Sequence, residues 1–338
     1  MSKKATAQFW DTAHRYLGHQ LKVIRQVSSH TIDSYRDCLN SFIDYLERVE
    51  NISRKKISFH NFGKETIKRY QTWMITEQGL APKTCNLRLT AIRSFLEYAA
   101  QEYLWLMPVY TDACTIAGVK TPNHAIEYFE PDEMTALLAA PSGTSRTDRR
   151  NQMMLIFLYD TAARVAEARQ VKVSDLHLDA GVPYVTLLGK GRKYRNIPLM
   201  EKTVLHLKRY LKDFHRSDPK TDLPLFYAKA HGLLHELSSD TFEKMIKRYA
   251  EQCREGYPMP DRVHCHMIRK TRAMDLYREG VPLPHIQQLL GHENISTTSG
   301  FYAFATLDVL AKAMEAVNPD NGVKSWSDPD ILERLYRL

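Results

Sequence analysis

The chain has 338 residues, with 47 Lys+Arg against 39 Asp+Glu, a formal net charge of +8 and 43% apolar side chains. That length leaves room for two cores, and the basic balance favours an anionic partner such as nucleic acid. No apolar run approaches the roughly 20 residues of a membrane helix and the start, Met1 to Thr6, has no secretory apolar core, so the expected location is cytoplasmic, away from membranes. Five scattered cysteines, Cys38, Cys85, Cys114, Cys253 and Cys265, form no paired framework and fit a reducing compartment.

The first part reads as helices. From Thr31 to Glu47, residues Ile32, Tyr35, Leu39, Phe42, Ile43 and Leu46 recur at three- and four-residue spacings, with Ser28 or Ser29 as cap. A second helix is expected around Glu65 to Gln78, and Pro82 suits the first turn of a third, whose Leu89, Ile92, Phe95 and Leu96 form an apolar stripe. Lys83, Asn86, Arg88 and Arg93 lie elsewhere on that helix and leave a basic face. Residues 1–118 hold +5 of the net charge. Between Met107 and Tyr128 periodicity fades and Pro108, Gly118 and Pro122 break the chain, which makes 119–128 the expected linker between a domain over 1–118 and another over 129–318.

Structure resumes at Glu130-Pro131-Asp132-Glu133, a helix start with proline in the first turn and acids near the positive end. Two β-prone runs, Tyr184 to Leu188 and Tyr194 to Leu199, flank Gly189-Lys190-Gly191-Arg192-Lys193 and predict a hairpin with a basic tip. After an apolar helix expected over 307–317, the chain breaks at Pro319 to Gly322. The tail 319–338 then offers Trp326, Ile331, Leu332, Leu335 and Leu338, a stripe too short to form a core alone.

Six residues carry the candidate chemistry: Arg164 in Thr161-Ala162-Ala163-Arg164, Lys190 in Gly189-Lys190-Gly191, His266 and Arg269 in His266-Met267-Ile268-Arg269, His292 in Leu290-Gly291-His292, and Tyr302 ten positions later. A tyrosine hydroxyl, with an ordinary pKa of about 10, is a poor nucleophile at neutral pH unless cations stabilise charge on it and on its target. Arginine's fork matches phosphate oxygens two at a time. The set therefore points to an enzyme that grips a phosphodiester with cations and attacks it with a phenol.

These boxes, in this order over about residues 127–318, resemble the signature of the tyrosine recombinases, the integrase family that includes the Xer-type resolvases. The resemblance implies a mainly α protein with a small antiparallel sheet: a helical SAM-like core-binding domain followed by an α+β catalytic domain. It implies strand exchange through a 3′-phosphotyrosine on double-stranded DNA with paired half-sites, by a homo-oligomer (a tetramer), with no cofactor and no metal. Arg164 and Arg269 would hold the scissile phosphate, Lys190 would protonate the departing 5′ oxygen, and His266 and His292 would bind phosphate or shuttle protons. Lys193 competes for the lysine role, although the family's lysine is the one between the glycines. Lys83, Asn86, Arg88, Arg93, Arg192 and Lys193 are the expected DNA contacts, and the tail would dock on a neighbouring protomer.

The chain departs from the family pattern in three places: Ala163 stands where glycine is commoner, Lys270 where histidine often follows the arginine, and Phe301 at the position Xer-like members commonly give the tyrosine. His264, Cys265, His266 and His292 are also zinc-capable residue types, but their spacing is not a zinc spacing. A type IB topoisomerase-like strand transferase and a silent DNA-binding regulator on the same fold are the competing functions.

Overall fold

A computed structural model of the protein describes residues 3–122, 127–189, 191, 193–215 and 222–291. Lys190, Arg192, His292, Tyr302, the expected helix over 307–317 and the tail 319–338 lie outside the described residues. The chain divides into two compact units, 1–124 and 125–338.

The first unit is helical. α1 (Lys3–Arg15) continues into a π-helical stretch, Tyr16–Ile24. The buried pair here, Tyr16 and Leu21, is five residues apart, the spacing of a π turn. α2 (Ser29–Arg48) starts where Ser28 Oγ accepts the Thr31 N–H at 3.2 Å. α3 (Lys64–Thr76) and α4 (Pro82–Glu102) follow, with the predicted apolar stripe of α4 buried. Pro108, expected to break the chain, instead sits in the first turn of α5 (Met107–Cys114), where its missing N–H costs no helical hydrogen bond. The core is a mesh of rings: Phe42 lies 4.8 Å from Phe62 and 5.0 Å from Tyr70, and Phe95 packs against Phe9, Tyr16, Phe59 and Phe62.

Two residues of the expected DNA-facing surface direct their polar atoms inward. Asn86 grips Val119, accepting its N–H at 2.8 Å and donating to its carbonyl at 2.9 Å. Arg93 donates to Ala113 O at 3.1 Å and also to Ile116 O, adding donors to carbonyls at and just beyond the end of α5. Lys83 is exposed and Arg88 half-buried.

The second unit opens with α6 (Pro131–Ala139), where Glu133 Oε2 accepts the Glu130 N–H at 2.8 Å in a capping box. Then come α7 (Arg146–Thr161), α8 (Val165–Gln170), β1 (Leu176–His177), β2 (Tyr184–Leu188) and β3 (Tyr194–Pro198). The three strands form an antiparallel sheet in the order β1-β2-β3, with Val185 opposite Ile197 and Leu187 opposite Arg195. α9 (Glu201–His215) precedes a second antiparallel pair, β4 (Tyr227–Ala230) and β5 (Leu233–Glu236). α10 (Ser239–Cys253), α11 (Cys265–Arg278) and α12 (Leu283–Leu290) complete the described part. The core gathers apolar faces from α6, α7, α9, α10, α11 and the sheet, including Phe129, Leu155, Phe157, Leu187, Leu207, Phe226, Phe242 and Ile268.

Candidate active site

The site begins where α7 stops. Ala162 takes a left-handed conformation, φ +48° and ψ +29°, which costs a residue bearing a Cβ on the order of 1 kcal/mol. That turn presents the Ala162 carbonyl to Arg269, whose Nη1 donates to it at 2.7 Å. It also swings the chain so that Arg164, extended, caps α8.

One turn into α8 stands Glu167, a carboxylate only 4% exposed. Its Oε1 accepts from Arg164 Nη1 at 2.9 Å and Arg195 Nη1 at 2.8 Å; its Oε2 accepts from the Arg164 backbone N–H at 2.7 Å and Arg195 Nη2 at 2.8 Å. Burial alone pushes this carboxyl up, but the Arg195 fork, the Arg164 N–H and the charges of both arginines outweigh it and hold the pKa down to about 2. Glu167 is therefore ionised at any physiological pH.

Arg269 is buried beside it, 3% exposed, with Nη1 4.0 Å from Glu167 Oε2 and Nη2 donating to Leu290 O. Three arginines thus surround one carboxylate. Among the described residues the positive charge around Glu167 exceeds the negative, which suits the site to an anion. Arg164 is the member that faces out, with its side chain 35% exposed.

Arg195 escaped the sequence reading, and a signal for it existed. Strand alternation puts it on the same face as buried Ile197, and an inward-facing arginine requires an acid. Its Nε also donates to Leu289 O at 3.0 Å, which joins β3 to the end of α12. Gly291 ends that helix at φ +60°.

His266 sits in the first turn of α11, its surface exposed. Crowding by the surrounding protein, followed by the charges of Arg269, Lys270, His264 and Arg164, holds its imidazole down to about 4, so the ring is neutral at pH 7. The His264 ring lies 6.4 Å from that of His266, and burial lowers its pKa too. Cys265 points into the core, where burial and then Glu243 push its thiol up, which removes it as a thiolate ligand. Among the described residues no three His, Cys, Asp or Glu side chains gather as a metal site.

The hairpin that carries Lys190 is built as its sequence predicts: Gly189 N–H donates to Lys193 O at 2.8 Å, closing the tip. Lys193 is exposed. The structure therefore brings Arg164 and Arg269 together and sets His266 beside Arg269 on one helix, while Lys190, His292, Tyr302 and Arg192 fall outside the described residues. Lys83, Asn86, Arg88 and Arg93 all belong to α4 of the other unit.

Comparison with known proteins gives a consistent picture. Residues 127–306 match the phage integrase family, and residues 14–103 match the phage integrase N-terminal SAM-like domain. Tyrosine recombinase XerD of Halalkalibacterium halodurans is 33% identical over 284 residues, 83% of this chain and 89% of that protein. Tyrosine recombinase XerC of Xanthomonas campestris is 29% identical over 308 residues, covering 90% of this chain and 87% of its own length. In fold the chain is similar to XerH site-specific recombinase bound to palindromic difH substrate (TM-score 0.67, 21% identity, 87% of this chain and 82% of that one). It is also similar to the Tn1549 transposon integrase in complex with transposon right end DNA (TM-score 0.66, 18% identity, 93% and 99%).

Proposed function

The chain belongs to the phage integrase family, the tyrosine recombinases, and on that premise we propose how its residues divide the work of cutting and rejoining DNA. It is a site-specific DNA recombinase that acts through a phosphotyrosine intermediate. The observation that carries the assignment of residues is the cluster of Arg164, Arg195 and Arg269 around the buried carboxylate of Glu167.

In this reading Arg164 and Arg269 hold the non-bridging oxygens of the scissile phosphate and stabilise the charge of the five-coordinate transition state. Tyr302 Oη attacks phosphorus and passes its proton to a neutral histidine of the site, His266 or His292, as the bond to the 5′ oxygen breaks. Lys190 gives the leaving oxygen its proton. The product is a 3′-phosphotyrosine and a free 5′ hydroxyl; attack by an incoming 5′ hydroxyl reverses the step and rejoins a strand with no ATP. His266, neutral when the site is empty, donates a hydrogen bond to phosphate or passes a proton. The neighbouring anion raises its proton affinity.

The amino-terminal unit is the core-binding domain, joined by a linker over 119–128 to a catalytic domain over 129–318. Lys83 and Arg88 on α4, with Lys193 and Arg192 at the hairpin, contact DNA. Because each site cuts one strand, complete exchange takes four protomers on paired half-sites, and the tail 319–338 docks between protomers. Among the described residues no helix is long and apolar enough to cross a membrane. A nicked duplex that loses its short 3′ fragment after cutting tests the reading: the protein should be trapped covalently on DNA in EDTA, and paired sites should be joined. Relaxation of supercoils without joining of paired sites would mark a topoisomerase, and an absence of adduct would mark a silent binder.

A further inference from the structure

We propose that Arg195 is a positioning residue for strand cleavage, taking both oxygens of Glu167 so that the fork of Arg164 stays available to phosphate, and tying β3 to the end of α12. The proposal rests on the reading of the site given above.

Glu167 needs partners for both oxygens because it is buried, and a carboxylate in that position takes the nearest guanidinium bidentately. Arg195 fills that demand with two parallel bonds of 2.8 Å. Arg164 is left with one side-chain bond to Glu167, through Nη1, on a side chain 35% exposed. Remove Arg195, and Arg164 becomes the cation best placed to close its fork on Glu167 and turn away from the substrate. The third donor of Arg195, Nε, reaches Leu289 O and fixes the strand leaving the Gly-Lys-Gly tip against the turn that leads to His292.

The glycines of two separate motifs make room for this one side chain. A Cβ on Gly189 would stand 3.2 Å from Arg195 Nη1, and a Cβ on Gly291 would stand 3.2 Å from Arg195 Cδ. Lysine cannot replace the residue fully, since an ammonium is a single point charge with no fork to span two carboxylate oxygens and a carbonyl together.

The test uses the full chain as Arg195→Gln, Arg195→Lys and Arg164→Ala, and a nicked duplex selected from random-sequence DNA for covalent trapping by the wild-type protein. Each is assayed in single turnover on two forms of that duplex, one with the ordinary scissile phosphate and one with a neutral methylphosphonate there. Circular dichroism checks the fold. On phosphate, Arg195→Gln should slow trapping on the order of 100-fold, as expected for a misplaced catalytic group. Arg195→Lys should recover part of the rate.

On the neutral substrate, which has no anionic charge for Arg164 to meet, the deficits of Arg195→Gln and Arg164→Ala should shrink together. Equal deficits on both substrates would make Arg195 a merely structural residue and overturn the proposal, as would a wild-type rate in Arg195→Gln. If Arg195→Gln does not fold, the same comparison is made with Arg195→Lys, with the same two outcomes. A wild-type rate in Arg164→Ala would overturn the reading of the site and this proposal with it, whereas a deficit in Arg164→Ala without one in Arg195→Gln would overturn the proposal alone.

Discussion

The amino-terminal unit fills its interior with rings and keeps ion pairs such as Arg36–Asp33 at the surface, both side chains at least half exposed, whereas the second unit buries Glu167 among arginines. Rings are favourable wherever they are dry, so the first core explains itself as folding. Buried charge is different. Replacing such a cluster by apolar side chains of similar volume is often neutral or stabilising, so it points to something other than stability. In the function proposed above, its cations beside the half-exposed Arg164 are what hold the phosphate.

Removing the centre of the charged cluster should therefore do the most damage. Glu167→Ala leaves buried Arg269 and half-buried Arg195 without their anion and should cost the second unit about 3–5 kcal/mol, with cleavage lost. Urea unfolding followed by a probe in that unit measures it, and a cost below about 1 kcal/mol would put the cluster in the class of surface pairs. In the other unit Phe95→Ala empties the centre of the ring mesh and should cost about 3–5 kcal/mol there. Full stability in that variant would mean that the mesh repacks.

Acid sharpens the contrast. Glu167 has a folded pKa of about 2 against an ordinary 4.5, so its contribution is complete above pH 4.5 and is lost as pH falls toward 2. His266, held at about 4 against an ordinary 6.5, acts in the same direction over a higher window: the unfolded chain takes up the proton first, so stability falls between pH 6.5 and 4. Thermal unfolding of wild type and His266→Gln separates the two windows. If the variant keeps the full loss between pH 6.5 and 4, the histidine is not its source.

Much of this was legible in the sequence because the signals were local. The α2, α3 and α4 stripes, the proline start of α6 and the β2–β3 hairpin each rest on residues a few positions apart. The continuation of α1 was missed because the π turn spaces Tyr16 and Leu21 five apart, which no α or β period matches, whereas α1 itself buries a polar Thr12 between Phe9 and Tyr16, which breaks up its apolar stripe. α5 was hidden by reading Pro108 as a break when proline also begins helices. Asn86 and Arg93 look like free polar groups until Val119 and the end of α5 fold onto them. The arginine pair was readable as motifs, but Arg195 becomes meaningful only when β3 alternation is combined with Glu167 on another element.

The smallest expected effect belongs to the exposed face of α4. DNA binding should weaken steeply with salt, and Lys83→Ala should reduce the slope of log affinity against log salt by about one unit without changing sequence preference. An unchanged slope would remove Lys83 from the interface.

The position at which DNA becomes attached to the chain identifies the nucleophile directly. Peptide mapping of the adduct trapped on a nicked duplex should find phosphotyrosine at Tyr302, despite the extra residue that separates it from His292. Tyr302→Phe, which loses one oxygen and little volume, should bind DNA and give no adduct. Phosphotyrosine at Tyr336, or an adduct that persists in Tyr302→Phe, would contradict the assignment.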